Sequence, residues 1–476
     1  MGIFKDKGVV YKPVSDVDLG PHTDDAYLSP NVKAPRMAGL LVTIFAWFLE
    51  SRIFGPILLY ILKKDNLIHR VAEQFVAAVR ESSKPEFQMS FFIDYNIEDI
   101  LKQATASTVR YKQGQALSVL DGVPIAIKDE IDCLPYPTTG GTKWLHKARP
   151  CTDDACCVKR LRSCGALLVG KTNMHELGAG TSGINPHYGA TRNPYDRTRV
   201  AGGSSSGSAA VVSSGLCPAA LGVDGGGSVR MPAALCGVVG LKPTFGRVPH
   251  SGVLPLNWTV GMVGVLAGTV EDAYIVYAAI SGPGQSHQAA TVLIVEVTVP
   301  EIEVMRLAHY LTIGSECSTA IACHLEKLDR AELGGDARVA LSVYGSFNSR
   351  EYLNAQKIRN RQMQFHKNIF AEADVIVTPT TGVTAYTLYD DALKTGELDY
   401  INGAALVRYQ ISGNFLGLPA VTVPVGYDKL GLPIGLQFIG RPWSEATLIH
   451  IAFAMQALCI SDYKKPQVFY DLLKKD

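Results

Sequence analysis

The stretch AGGSSSGSAAVVSSGLCPAALGVDGGGSVRMPAALCGVVGLKPT, Ala201–Thr244, decides how the rest of the chain is read. It opens on Gly202-Gly203-Ser204-Ser205-Ser206-Gly207, continues into small residues that predict a helix over 208–215, then into an apolar strand over 219–223. That strand runs out into Asp224-Gly225-Gly226-Gly227-Ser228-Val229-Arg230. In open α/β sheets ligands bind beyond the carboxyl ends of the strands. Successive glycines there can aim several backbone N–H groups at one point, which is what an oxyanion hole requires. A serine after such a run is placed to attack the carbonyl whose oxygen the glycines hold. Asp224 and Arg230 read as a local ion pair that fixes the loop rather than as catalysts.

The earlier glycine–serine run has rival readings. A flexible linker would be longer and would not flow into a small-residue helix. A phosphate loop would close on Gly-Lys-Ser/Thr, and Ser-Gly-Ser-Ala-Ala offers no lysine. Gly203-x-Ser205-x-Gly207 also fits the nucleophile elbow of α/β-hydrolases. That elbow should follow an apolar strand, but here it follows Arg197-Thr-Arg-Val-Ala-Gly202, and His250, His287, His309, His324, His366 and His450 stand in no recognisable context.

Outward from this block the pattern alternates. Helices are predicted over 71–81, 97–113 and 156–164, the last with Val158 and Leu161 on one face. Strands are predicted over 123–128, 166–169, 292–299, 375–378 and 420–425, with a loop-rich stretch from Gly178 to Gly207. Alternation of this kind indicates an α/β fold around a largely buried, partly parallel sheet. Lys128 closes the apolar strand Val123-Pro-Ile-Ala-Ile. Burial disfavours an ammonium, and a neutral amine is a usable general base. Taken alone, such a lysine is more often paired or at the surface.

Composition narrows the rest. Of 476 residues, 47% are hydrophobic and 19% charged, enough apolar material for a large core and too much for a disordered chain. A net charge of +1 with no basic stripe argues against nucleic acid. The ten cysteines include no Cys-x-x-Cys, which points to reduced thiols in a cytosol-facing protein. His175-Glu176 lacks the second histidine of a zinc motif.

Residues 1–36 are polar and lack the basic start and apolar run of a secretory signal. Two short apolar runs follow, Met37–Leu49 and Ile53–Leu62, split by Glu50-Ser51-Arg52 and trailed by Lys63-Lys64. A spanning helix needs about 20 uninterrupted apolar residues. A pair of short helices in a membrane interface is the expectation, with burial against the body or a dimer partner as the alternative. One boundary is drawn near residue 70, separating this lead (1–70) from a catalytic domain (71–476).

Together these features resemble the amidase-signature family from about Ile97 to the end of the chain. The resemblance rests on the quoted block, on Asp-Gly-Val-Pro-Ile-Ala-Ile-Lys-Asp and Gly-Lys-Thr-Asn-Met-His-Glu-Leu, and on the late blocks Gly-Leu-Pro-Ala-Val-Thr-Val-Pro-Val-Gly and Gly-Leu-Pro-Ile-Gly-Leu-Gln-Phe-Ile-Gly-Arg. It implies a large mixed, twisted sheet covered by helices on both faces. It also implies a triad of Lys128 as base, Ser204 as proton relay beside a cis peptide, and Ser228 as acyl-forming nucleophile. Backbone N–H groups of Gly225, Gly226, Gly227 and Ser228 would hold the oxyanion. No metal or organic cofactor is implied.

The paired apolar runs and the blocks Leu-Lys-Lys-Asp-Asn and Ile-Asp-Cys-Leu-Pro bring the chain nearest the plant fatty acid amide hydrolases. That implies N-acylethanolamines and primary fatty amides as substrates, and a homodimer on the endoplasmic reticulum or another endomembrane, or at the plasma membrane. Aryl or indole acetamide hydrolysis, a glutaminase role in transamidation and a non-catalytic membrane-associated dimer partner are the alternatives. The chain departs from the family in two places. A strand–helix unit is missing after residues 272–280, and a stretch is missing after 66–70.

Overall fold

The computed structural model describes residues 68–282, 296–326 and 328–473. Its sheet is built from strands whose residues are apolar on both sides. Among the described residues the strands are β1 (Phe92–Asp94), β2 (Pro124–Lys128), β3 (Leu167–Thr172), β4 (Arg192–Asn193), β5 (Asp196–Val200), β6 (Ala219–Asp224), β7 (Val239–Lys242), β8 (Met262–Ala267), β9 (Val375–Pro379), β10 (Ala420–Tyr427) and β11 (Pro433–Gly440). Nine of them form one sheet in the order β1-β3-β2-β6-β8-β7-β10-β11-β9, and β4 pairs with β5 apart from it. Only β2 pairs in parallel, with β3 and β6; every other ladder is antiparallel, so the sheet is mixed.

The principal helices are α1 (Ile68–Ser82), α2 (Ile97–Lys112), α3 (Cys156–Ser163), α4 (Ser206–Ser213), α5 (Arg230–Leu235), α6 (Val270–Ser281), α7 (Ile302–Leu325), α8 (Gly335–Tyr344), α9 (Ser349–Glu372), α10 (Tyr400–Val407), α11 (Ile411–Phe415) and α12 (Glu445–Cys459). Side chains alternate along a strand, so each central strand feeds two cores. Ile125 and Ile127 of β2 and Leu221 and Val223 of β6 join Leu161 of α3, Val276 of α6 and Leu448 of α12 on one face. Ala126 and Ala220 join Phe75 of α1, Ile100 of α2 and Val211 of α4 on the other. Each large aliphatic side chain so buried contributes about 1.5–3 kcal/mol. The predicted α/β sheet with helices on both faces is the fold found.

Several local expectations change. The stretch 178–207 holds the β4–β5 ribbon as well as loop. Residues 296–299 form no strand, and 292–295 lie outside the described residues. The reason is local: Pro300 cannot donate to a ladder, and Val299 packs with Ile302 and Leu311 at the start of α7 instead. The apolar runs at 37–62 also lie outside the described residues. No described helix is long and apolar enough to cross a membrane.

Candidate active site

Lys128 ends β2, and Asp224 ends the parallel neighbour β6, so both chain segments leave the sheet at the same edge. The Lys128 side chain is fully buried. Its Nζ donates to Ser204 Oγ at 2.7 Å and to the Val223 carbonyl at 3.2 Å, and lies 2.8 Å from Glu130 Oε2. Glu130 is equally buried. It stands two residues beyond the strand lysine, just past the end of the quoted block Asp121–Asp129, and its contact with Lys128 needs the turn after β2 to be seen.

Ser204 is set by the close packing of backbone around it. The Gly203–Ser204 peptide is cis. Gly203 N–H donates to the Thr181 carbonyl at 2.7 Å, and the Ser204 carbonyl accepts from His175 N–H at 3.1 Å. α4 then starts against the segment after β3. A Cβ on Gly207 would meet the Phe91 carbonyl oxygen at 2.4 Å and Asn173 backbone at 2.6 Å, so only glycine fits there. The two serine loops are joined where Ser205 N–H donates to the Ser228 carbonyl at 3.1 Å.

The second loop is tied down by Asp224 and Arg230, both fully buried. The guanidinium meets both carboxylate oxygens at 3.0 Å, and reaches Gln437 Oε1 at 2.7 Å and Asn414 Oδ1 at 2.6 Å. Burial alone would push the Asp224 carboxyl up; Arg230 outweighs it and holds the group well below the usual carboxylate range. The ion pair expected here is present, and it bolts the loop to α11 and β11.

Asp224 also changes the expected oxyanion set. Gly227 N–H donates to Asp224 Oδ1 at 2.7 Å. It is spent on the loop's own anchor, because an ionised carboxylate attracts the nearest donors. The N–H groups of Gly225, Gly226 and Ser228 have no acceptor among the described residues. Behind them, His309 on α7 holds the Gly225 carbonyl through Nε2 at 2.8 Å. Burial pushes this imidazole down to about 4, the Gly225 contact opposing, so neutral Nε2–H is the donor. No local motif marks His309, which lies 84 positions away in the chain.

Ser228 is half-buried. It opens with Gly226 into a mainly apolar cavity of about 160 Å³, walled by Leu177, Met231, Leu256, Ile313 and Ile411. Nearby Lys242 is fully buried with only the Pro243 carbonyl and Met262 Sδ within 3.2 Å, and burial, reinforced by Arg230, lowers its ammonium to about 7. Among the described residues no cluster of His, Cys, Asp and Glu could hold a metal ion. All ten cysteines are unpaired, and five of them are buried.

A family model described as Amidase matches residues 81–314 and 288–449. A fatty acid amide hydrolase of Oryza sativa subsp. indica is 38% identical over 600 aligned positions, covering 97% of this chain and 98% of the relative. A fatty acid amide hydrolase of Arabidopsis thaliana is 44% identical over 459 positions, covering 85% of this chain and 76% of the relative. A solved amidase superposes with a TM-score of 0.73 at 27% identity, over 84% of this chain and 99% of its own. An alignment of 600 positions against a chain of 476 residues means that the rice relative carries more than a hundred residues absent here. The sheet, the block that carries Ser204 and Ser228, and these likenesses over most of the chain lead to one conclusion: it belongs to the amidase family and is an enzyme that hydrolyses amides.

Proposed function

We propose that the chain hydrolyses fatty acid amides, N-acylethanolamines and primary fatty amides among them, through an acyl-enzyme on Ser228. The observation that carries this reading is the buried 2.7 Å contact between Lys128 and Ser204, at the sheet edge where the Ser228 loop begins. In the proposed sequence Lys128, as base, takes the proton of Ser204 as Ser204 takes the proton of Ser228. Ser228 Oγ bonds to the amide carbon, and the oxyanion meets the N–H groups of Gly225, Gly226 and Ser228. As the C–N bond breaks, the proton returns through Ser204 to the leaving nitrogen, and the amine departs. Water then repeats the cycle on the ester, releasing the fatty acid.

The plant relatives supply the lipid substrate class, and the apolar cavity at Ser228 is compatible with it. A long acyl chain loses about 0.8 kcal/mol per CH₂ on leaving apolar surroundings, so uptake at an endomembrane through the runs at 37–62 is part of the proposal, as is a homodimer. Charged residues placed together at Leu40, Phe48 and Leu58 should abolish flotation with vesicles; unchanged flotation would sink the membrane claim.

The residues missing relative to the rice protein favour a second reading, a catalytically silent partner. A fluorophosphonate probe separates the two. Covalent labelling of wild type but not of Ser228→Ala, read by mass spectrometry, supports the enzyme with Ser228 as nucleophile. A folded wild type that stays unlabelled favours the silent partner.

A further inference from the structure

A second chamber of about 180 Å³ shares a wall with the one at Ser228, and its chemistry is different. The common wall includes Ala179, Gly180 and Thr181 with Arg306, Tyr310 and Tyr344. Beyond it the lining turns acidic and aromatic: Asp336, Glu397 and Asp399 with Tyr386 and Tyr400. Glu397 Oε2 accepts from the Tyr386 hydroxyl at 3.2 Å. Burial pushes the Glu397 carboxyl up, against that hydrogen bond, and the Asp399 charge adds to the push.

Positive charge is scarce in this chamber. Burial pushes the Asp336 carboxyl up, but His175, whose Nε2 lies 3.3 Å from Asp336 Oδ2, outweighs it and holds the group below the usual carboxylate range. The imidazole is boxed in, with Ser182 Oγ 3.4 Å from Nδ1 and no room for a Cβ on Gly180. Arg306 lines the wall, with its guanidinium engaged by Glu303 at 2.9 Å. Asp336 is 5% exposed, and beyond that one contact with His175 its Oδ2 accepts no hydrogen bond. A buried carboxylate oxygen with one long contact has room to accept a further donor. Tyrosine faces attract cations, and three carboxylates set the sign of the charge they would accept. Tyr400 is 64% exposed, so the chamber has an outer mouth.

We propose that this chamber binds a primary ammonium group carried by the amine half of the substrate, or by the amine released from it. The proposal rests on the reading above in taking the Ser228 chamber as the acyl side. It extends that reading by assigning the amine half a site of its own, built on Asp336 and Glu397. Acyl amides of diamines, which keep one free ammonium, fit it as substrates; the amine released from an amino-alcohol amide fits it as product.

The test uses the full-length chain with Ser228→Ala, so that no turnover intervenes. Binding of n-butylammonium and of n-butanol, its neutral counterpart, is followed by saturation-transfer NMR. The expected result is at least about 10-fold tighter binding of the ammonium, a factor in reach of one desolvated ion contact. That preference should fall to about 2-fold or less in Glu397→Gln and in Asp336→Asn. Asp336 packs closely on Gly396, so Glu397→Gln carries the test if Asp336→Asn fails to fold. Equal binding of the two probes, or a preference that survives Glu397→Gln, overturns the inference. No preference in the parent Ser228→Ala chain, alongside intact fluorophosphonate labelling of the wild type, removes this site alone. Ammonium binding without labelling keeps the site and removes the acyl-enzyme.

Discussion

Lys242 has a folded-state value of about 7 against an ordinary 10.5, because burial and Arg230 disfavour its charge. Between those two values the unfolded chain holds a proton that the folded chain has released. Stability contributed at this residue therefore rises as pH climbs from about 7 toward 10.5, and the full penalty applies below about 7. A shift of this size is worth on the order of several kcal/mol. Urea unfolding of wild type and Lys242→Met at pH 7 and pH 9.5 should show the variant gaining at pH 7 and the gap closing at the higher pH.

His309 tests a different kind of residue, one that acts through another. Without its bond to the Gly225 carbonyl, the glycine run loses its backing. His309→Ala should lower kcat by about 10-fold or more with little change in KM, since an oxyanion contact strengthens in the transition state. A change confined to KM would argue against this role. Lys128, Ser204 and Ser228 could be picked out in the sequence because each ends or follows a distinctive run. His309 could not, because its role depends only on where α7 comes to lie. The engagement of Gly227 by Asp224 was hidden for the same reason, being a matter of which way one N–H points.

At the scale of elements, the small residues of α4 carry a constraint that hydrophobic pattern does not express. Gly207 lets the first turn of the helix lie against Phe91 and Asn173, where its N–H donates to the Asn173 carbonyl at 2.9 Å. Gly207→Ala should cost about 1–3 kcal/mol through overpacking, seen as a lower melting temperature. It should also weaken fluorophosphonate labelling, because the same turn presents Ser204. Arg230 makes a comparable claim at the head of α5, where one guanidinium joins three elements. Arg230→Lys keeps the charge but lacks the planar fork. A loss of about 3–5 kcal/mol is expected by denaturant unfolding, as when a buried pair is broken.

The elements the sequence did show were those with apolar runs bounded by glycine, proline or charge: β2, β3, β6, β9 and β10. β7, β8 and β11 were not singled out. Val239-Gly-Leu-Lys242 is short, and Met262–Ala267 and Pro433–Gly440 are broken by glycine. Their strand character comes from neighbours in the sheet rather than from propensity. The stretch 292–299 fails in the opposite sense. It has the β-branched residues of a strand, but its described half leads through Pro300 into a helix.

For the molecule as a whole, fold class, family and enzyme type were accessible because they are written in many ordered blocks. The second chamber was not, since it is assembled from α7, α8, α10 and loops, and only His175 of its lining falls in a quoted block. The adjacency of β2 and β6 bears on how the protein reaches its active form. These strands lie side by side, yet β3, the β4–β5 ribbon, α3 and α4 all fall between them in the chain. The Lys128–Ser204 bond closes a loop of 76 positions, and Arg230 reaches Gln437 across 207. Chains dominated by such distant pairings fold slowly, because the closure entropy comes due before the contacts that offset it. Helical signal should therefore return early after dilution from denaturant, while competence for fluorophosphonate labelling returns only with the last phase. A chain caught between the two would look folded by circular dichroism and still be unable to act on an amide.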